Sequence, residues 1–185
     1  MTMTHSGLLA EDVLDAHRAP PTLGVVSLII ATVTTGLLAG VFYAYACSVM
    51  IGLGKFDDKT FVEVMNKINV VIVNPVFMLS FLGSLAFSIL ASVFYLRSDL
   101  RPVLIWIAVA AALNLLSLII TSGFNVPLNN NLATATDAQG LVDFAALRKD
   151  FETPWLTGNI ARALANTGAL TALCWALVQH GRSGR

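Results

Sequence analysis

The sequence carries very little charge. Only 12% of its 185 residues are Asp, Glu, Lys or Arg, whereas a soluble domain has about 25%. So few ionisable groups could not cover a soluble surface of this size, and 56% of the residues are hydrophobic. Acidic and basic residues balance at eleven each, so no basic field exists to attract nucleic acid. These absences favour a membrane protein and exclude a nucleic-acid-binding domain.

Residues for metal and cofactor chemistry are also scarce. The two cysteines, Cys47 and Cys174, each lie in an apolar run, which argues against a disulfide framework or a thiolate metal cage. The three histidines, His5, His17 and His180, lie outside the apolar runs that could span a membrane, so haem or copper would lack its usual ligands there. No glycine-rich phosphate loop occurs. The sequence therefore predicts neither a metal site nor a bound cofactor.

What the sequence does contain is four long uncharged stretches, at 19–54, 68–96, 102–136 and 163–181. A helix that crosses the hydrocarbon needs about 20 mainly apolar residues, and the bilayer favours helices because every backbone amide must find an internal partner. We predict an all-α fold, a bundle of four transmembrane helices. The predicted spans are Leu23–Met50, Val71–Leu96, Val103–Thr121 and Leu156–Val178.

The predicted organisation is a polar tail (1–22), a four-helix transmembrane domain (23–180) and a short C-terminal tail (181–185). The N-terminal segment opens with acidic Glu11, Asp12 and Asp15 rather than a basic region, so it is not a cleavable signal. An even number of spans places both termini on one side. Arg97 and Arg101, close to the membrane in a tight turn, favour an integral protein of the cytoplasmic membrane with its termini inside.

Two short amphipathic helices are predicted in the loops on the opposite side, where they could cover the bundle. The first begins at a capping box, Thr60 to Glu63, and runs into the second span, where Pro75 bends or interrupts it. The second carries the apolar residues Leu141, Phe144, Leu147 and Phe151. We also predict that Thr153 and Pro154 start the fourth span, and that 124–131 is not regular helix throughout.

The fourth span carries the most informative pattern. Trp155, Asn159, Arg162 and Asn166 follow one another at spacings of four, three and four, which places them on one helix face. An arginine near mid-membrane costs at least about 2.5–3.5 kcal/mol, so it should face the interior and have a partner. No acidic residue lies in any span. The candidate partners are the amides Asn69, Asn74, Asn114, Asn125 and Asn129, and the carboxylates Glu63, Asp150 and Glu152.

Two interpretations of this cluster remain open. Arg162 and the asparagines could form a structural network that holds the helices together, or they could line a ligand site. Asn125 and Asn129, which flank Pro127, could belong to a loop that enters the bundle mouth or to a solvated turn. Tyr43 and Tyr45, with Phe42, could be interfacial anchors or could line a pocket.

Several segments together resemble the anthrone-oxygenase-like family of four-helix membrane proteins. They are Gly36-Leu-Leu-Ala-Gly40-Val-Phe-Tyr-Ala, Met65-Asn-Lys-Ile-Asn69, Asn74-Pro-Val-Phe77, Phe124-Asn-Val-Pro-Leu-Asn129, and Trp155 with Asn159 and Arg162. The resemblance extends over nearly all of Leu23 to Val178. It implies a membrane-embedded oxygenase that converts anthrones, or a related quinol-like aromatic, without a metal cofactor.

The resemblance also implies roles for individual residues. Arg162, with the amides of Asn159 and Asn125, would stabilise an enolate oxygen, Trp155 would stack on the substrate, and Glu63 would be the base. The candidate catalytic residues are Arg162, Asn159 and Glu63, and the candidate substrate-binding residues are Trp155, Asn125, Asn129, Asn74, Asn69, Tyr43 and Asn166.

The expected partners are the lipid bilayer and a hydrophobic aromatic small molecule, with a homo-oligomer or larger membrane complex as a further option and no nucleic acid. The alternative to an enzyme is a non-enzymatic membrane protein. Such a protein would be an accessory subunit of a larger assembly, a small-molecule binder or a transporter. Four helices are few for a transporter and no inverted repeat is present, so transport is the least favoured.

Overall fold

A computed structural model of the chain describes residues 22–97, 100–137 and 141–183, and these residues contain helices but no strand. The predicted polar tail, 1–22, lies outside the described residues except for Thr22. Of the predicted C-terminal tail, residues 181–183 continue the last helix and 184–185 lie outside the described part.

The described chain forms five helices. Helix α1 spans Thr22–Leu53 and includes a π-helical turn at Tyr45–Val49. Helices α2 and α3 span Asp58–Val71 and Pro75–Phe94. Helix α4 consists of Arg101–Ile120, a π-helical turn at Thr121–Asn125, and Val126–Asp137, and α5 spans Phe144–Ser183. Helices α1, α3, α4 and α5 are long and apolar enough to cross a membrane, which confirms the predicted all-α, four-helix transmembrane fold.

The four long helices form a bundle in which α1 and α4 each pack against both α3 and α5. Large apolar side chains cover the outside of the bundle on all four helices. Examples are Leu37 on α1 (58% exposed), Leu79 on α3 (65%), Ile119 on α4 (57%) and Leu164 on α5 (70%). Exposing such an apolar surface to water would be unfavourable, whereas contact with lipid is favourable, as expected for an integral membrane protein.

Helix α2 is the first of the two predicted amphipathic helices, but it begins earlier than predicted. Asp57, not Thr60, is the N-cap: its carboxylate accepts hydrogen bonds from the Thr60 amide (3.0 Å) and hydroxyl (2.7 Å). These hydrogen bonds lower the pKa of the Asp57 carboxyl. Helix α2 ends at Val71 and does not run into α3, because Asn74 caps a new helix with Pro75 in its first turn.

The segment 124–131, predicted not to be regular helix throughout, is helical and continues α4. The proline in it, Pro127, lacks an N–H donor, and its ring clashes with the carbonyl of residue i−4 in a regular α-helix. A π-helical turn ends two residues before Pro127 and changes the hydrogen-bond spacing there. The irregularity that the sequence indicated is therefore a widened turn, not a loop.

The second predicted amphipathic segment and the fourth span are one 40-residue helix. Asp143 caps it by accepting a hydrogen bond from the Ala146 amide (3.0 Å), so the prediction that Thr153 and Pro154 start the span was wrong. Pro154 lies inside the helix, between Phe151 and Trp155, which are both buried in the same apolar cluster. This packing on both sides of the proline offsets its missing hydrogen bond.

The bundle has two different ends. At the end where α1 begins and α5 finishes, small and branched residues fill the interior around Leu28, Val103 and Leu173. At the opposite end α2 lies across the bundle. Its Phe61 and Met65 pack against the part of α4 that follows the π-helical turn and against the beginning of α5. We call this second end the covered end.

Candidate functional site

A cavity of about 270 Å³ lies at the covered end, and all five helices contribute to its wall. Most of its lining is apolar. Its aromatic residues are Phe42, Tyr45, Phe77, Phe81 and Trp155, and its polar residues are Asn69, Thr121, Ser122, Asn129, Asn159 and Arg162. An apolar pocket with a few convergent polar groups is the usual form of a small-molecule site.

Arg162 is the cation of this cavity, and it is 5% exposed. Its guanidinium donates one hydrogen bond to Oδ1 of Asn159 (3.2 Å) and one to Oγ1 of Thr121 (3.3 Å), while its Nε is buried without a partner. The guanidinium carbon lies 4.3 Å from the ring centre of Phe42 and 5.5 Å from that of Trp155. Aromatic faces attract a desolvated cation, so the rings hold the group in place without neutralising it.

None of the cavity-lining residues is a carboxylate. The predicted position of Arg162 inside the bundle is thus realised, but its partners are two neutral oxygens and two aromatic faces. A buried cation without a counter-ion strongly attracts a negatively charged or strongly polarised oxygen. The site is arranged to receive such an oxygen from a ligand.

Asn159 is completely buried and fixes the orientation of Arg162. Its Nδ2 donates to the backbone carbonyl of Phe42 (2.9 Å), three residues before the π-helical turn of α1. Because a carbonyl can only accept, the Oδ1 of Asn159 must face the guanidinium. One amide therefore joins α1 to α5 and presents its acceptor to the cation.

Trp155 is held on three sides. Its indole Nε1 donates to Oδ1 of Asn129 (2.8 Å), and its ring centre lies 5.7 Å from that of Tyr45 and 6.1 Å from that of Phe151. Asn129 also lines the cavity, as predicted. The hydrogen bond fixes the rotation of the indole, so that its position relative to the cavity is set before any ligand binds.

Asn125 supports the site from behind the wall. It is 1% exposed, it does not line the cavity, and its Nδ2 donates to the carbonyl of Trp155 (3.0 Å). A Cβ on the neighbouring Gly158 would lie 2.5 Å from Oδ1 of Asn125 and 2.7 Å from Cδ1 of Phe124. The π-helical turn of α4 can approach α5 this closely only because residue 158 is glycine. Sequence reasoning missed Gly158, although a glycine inside an apolar helix was a usable signal.

Asn166 belongs to a separate polar network deeper in the bundle. Its Nδ2 donates to Oδ1 of Asn114 (3.0 Å), and its Oδ1 accepts from the Ser117 hydroxyl (2.7 Å). Asn114 in turn donates to Thr35 Oγ1 (3.1 Å) and to the backbone carbonyl of Ser84 (3.2 Å). This network connects all four spanning helices and does not line the cavity, so the structural interpretation fits Asn166 and the ligand interpretation fits Arg162.

Besides Asn125 and Asn166, three further predicted site residues lie outside the cavity wall. Glu63 is on the outer face of α2, where its side chain is 60% exposed and lies 3.8 Å from Lys59, so it cannot act as a base at Arg162. Tyr43 is 64% exposed on the outside of α1. Asn74 is used as the cap of α3, with its Oδ1 accepting from the amides of Val76 and Phe77 (both 3.1 Å).

The cavity wall instead contains Phe42 and Tyr45 of α1 and Thr121 of α4. The helical period turns Phe42 and Tyr45 inward and Tyr43 outward. Asn69 lines the cavity as predicted, and its Nδ2 is buried without a partner. In the described part of the chain, no group of three or more His, Cys, Asp or Glu side chains could hold a metal ion.

Comparison with known proteins gives one match. The family model described as anthrone oxygenase matches residues 77–172, more than half of the chain. No curated protein and no solved structure matches the chain. The matched segment contains the cavity residues of α4 and α5, namely Thr121, Asn129, Trp155, Asn159 and Arg162. The chain belongs to the anthrone oxygenase family.

Proposed function

We propose that the protein is a membrane-embedded oxygenase that oxidises a lipophilic aromatic compound, anthrone-like or quinol-like, at the Arg162 cavity without a metal cofactor. The observation that carries the proposal is a buried guanidinium, not paired with any carboxylate of the lining, at the wall of an apolar cavity. The family match supports an oxygenase-type reaction.

The cavity suits a flat aromatic ligand. On one wall the rings of Phe77 and Phe81 are nearly parallel, at 14°, with their centres 5.6 Å apart. On another wall lie Trp155 and Tyr45. Aromatic side chains give a planar ligand large contact areas and offset or edge-on ring contacts. Asn159 and Thr121 are hydrogen-bonded to Arg162, so the ligand would bind with its oxygen toward this polar group.

The depth of the cavity suits a ligand that arrives from lipid. Thr121 follows Arg101 by twenty residues, which corresponds to about 30 Å of helix, close to the thickness of the hydrocarbon core. With Arg101 at one boundary of the membrane, the cavity would lie close to the other boundary, at the covered end. Two of its apolar lining residues, Val73 (69% exposed) and Val126 (40% exposed), are accessible from outside the protein core, which is compatible with entry of an apolar compound from the bilayer.

The proposed chemistry needs charge stabilisation more than covalent participation by the protein. Loss of a methylene proton from an anthrone leaves an enolate whose oxygen would bind the guanidinium of Arg162 in low-dielectric surroundings. The enolate then reduces dioxygen, a carbon–oxygen bond forms at the former methylene carbon, and loss of water leaves a carbonyl. Overall, one CH₂ and one O₂ become one C=O and one H₂O. The methylene proton passes to water, since no lining residue is a carboxylate or an imidazole.

Oxygen consumption tests the proposal directly. Purified protein in lipid nanodiscs would be given unsubstituted anthrone, hydroxylated anthrones and quinols, with oxygen uptake and quinone absorbance recorded together. The proposal expects one quinone per oxygen molecule. Arg162→Met should abolish the reaction, whereas Arg182→Met should not, because Arg182 also lies over a tryptophan of α5, at 5.5 Å from the Trp175 ring centre, but is exposed.

A second candidate is a small-molecule binder without turnover, which the absence of a carboxylate or imidazole from the lining favours. Such a protein would bind the same compounds, with the same dependence on Arg162, but would consume no oxygen. Binding without oxygen uptake for every compound would reject the oxygenase and retain the binder.

A further inference from the structure

A second concave space adjoins the Arg162 cavity. It has a volume of about 350 Å³ and lies between α2 and the part of α4 that follows the π-helical turn. We call it the amide groove, because its polar lining consists of Asn66, Asn69, Asn129, Asn130 and Thr136. The groove and the cavity share Asn69, Val73, Val126 and Asn129, so the two spaces are neighbours with a common wall.

The hydrogen bonds of the groove fix which of its groups are free. The Thr136 hydroxyl donates to the carbonyl of Ala133 (2.7 Å), so it can only accept from Nδ2 of Asn66 (3.0 Å). This orients the Oδ1 of Asn66, a buried atom without a partner, as a free acceptor. The structure thus holds one unused acceptor in the groove wall.

The donors are fixed in a similar way. The Nδ2 of Asn69 is a buried donor without a partner. Trp155 can only donate, so Oδ1 of Asn129 accepts from its indole (2.8 Å) and the amino group of Asn129 is left for the groove or the cavity. A buried polar group without a partner is destabilising. The unused acceptor of Asn66 and the unused donors of Asn69 and Asn129 belong to residues that line the groove, so a hydrogen-bonding molecule there would satisfy them.

We infer that the amide groove is a second ligand subsite, which binds a neutral end of the ligand bearing hydroxyl or carbonyl groups while the reactive end lies at Arg162. This inference rests on the proposed function. The groove-lining residues include no acidic or basic side chain, so the groove selects neutral hydrogen-bonding groups and disfavours an ion. The ligand is therefore amphiphilic, with an apolar aromatic body and a neutral polar end.

The inference predicts an unusual response to Asn69→Leu. Because the Nδ2 of Asn69 makes no hydrogen bond within the protein, its removal should leave thermal stability unchanged or raise it. The same substitution removes a hydrogen-bond donor that the protein would offer to the ligand. We expect binding of a hydroxylated anthrone to weaken about tenfold, the effect of one lost hydrogen bond.

The experiment compares two probes, unsubstituted anthrone and an anthrone with hydroxyl groups on the rings, in titrations of nanodisc-embedded protein. Wild type should bind the hydroxylated probe more tightly. Asn66→Leu should remove that difference while binding the unsubstituted probe as before, because Asn66 lines the groove and not the Arg162 cavity. Asn69→Leu, which changes both spaces, should weaken binding of the hydroxylated probe more than binding of the unsubstituted one. Asn131→Leu is the control, because Asn131 is an exposed asparagine of α4 that does not line the groove.

The outcomes separate the subsite from the proposed function. If both probes bind wild type, and the Asn66 and Asn69 substitutions change the affinities for the two probes equally or not at all, the subsite is rejected while the Arg162 site stands. If Asn69→Leu lowers the melting temperature markedly, the amide has a structural role and the subsite is likewise rejected. If wild type binds neither probe, the proposed function fails and the subsite with it.

Discussion

Asn159 lies between Phe42 and Arg162 and is bonded to both. Its Nδ2 donates to the backbone carbonyl of Phe42 (2.9 Å), and its Oδ1 accepts from Nη2 of Arg162 (3.2 Å), one turn further along α5. The amide thereby holds one edge of the guanidinium against α1, while Nε keeps no partner. The cation is positioned but not saturated, which is the state expected of a group that binds a ligand oxygen.

Replacing Arg162 by lysine should therefore weaken binding strongly. A planar guanidinium contacts Asn159, Thr121 and the ring of Phe42 at once, whereas an ammonium group is a point charge without the fork geometry. We expect the affinity for anthrone in nanodiscs to fall about tenfold to a hundredfold, with the protein still folded. A normal Arg162→Lys variant together with an Arg162→Ala variant that cannot be expressed would make the residue structural.

Asn129 should matter through Trp155. In Asn129→Leu the indole N–H loses its acceptor inside a buried cluster, which costs about 1–3 kcal/mol unless the ring rotates. We expect a changed near-ultraviolet circular dichroism signal and severalfold weaker binding of anthrone. Asn131→Leu, at an exposed position of the same helix, serves as the control. An unchanged spectrum with unchanged binding would show that the hydrogen bond does not set the ring position.

The sequence was sufficient to predict the spanning helices, because the bilayer makes length and apolarity decisive. It was also sufficient to place Trp155, Asn159 and Arg162 on an inward face, because a helical period and the cost of a membrane-embedded charge lead to one arrangement. The predicted start of the fourth span at Thr153 and Pro154 was wrong, and the irregularity predicted for 124–131 is a π-helical turn inside a continuous helix. In both cases packing around the proline, with a π-helical turn in one, keeps a helix that local rules would end.

The sequence could not identify which asparagines reach the cavity. Asn69, Asn74 and Asn125 are equivalent in type, yet one lines the cavity, one caps a helix and one supports Trp155 from outside the lining. Glu63 was the predicted base because it lies in the helix that leads toward the second span, but the rotation of α2 turns it outward. Such roles depend on helix rotation and on contacts between distant segments.

The deeper polar network should affect stability without affecting the site. Asn114 is 3% exposed and bonds to α1, α3 and α5. Since interhelical hydrogen bonds in membranes contribute about 0.6 kcal/mol on average, we expect Asn114→Ala to destabilise the bundle by about 1–3 kcal/mol. Thermal unfolding in detergent measures this, and anthrone affinity well below the melting temperature should stay within twofold of wild type. A specific loss of affinity in a stable variant would instead connect the network to the site.

Gly158 should tolerate no side chain, which provides a steric test of the site's architecture. The added Cβ of Gly158→Ala would lie 2.5 Å from Oδ1 of Asn125 and 2.7 Å from Cδ1 of Phe124, so these two side chains of the π-helical turn must shift. We expect a loss of about 1–3 kcal/mol in the free energy of unfolding, together with weaker binding, since Asn125 holds the carbonyl of Trp155. Gly40→Ala is the matched control. It is also a helical glycine, but a Cβ there has no neighbour within 4 Å, so alanine should leave stability unchanged or raise it by about 0.5–1 kcal/mol. If Gly158→Ala were as stable as Gly40→Ala, the close approach of α4 to α5 at residue 158 would be contradicted. Without that close approach, alanine should stabilise the helix at both positions.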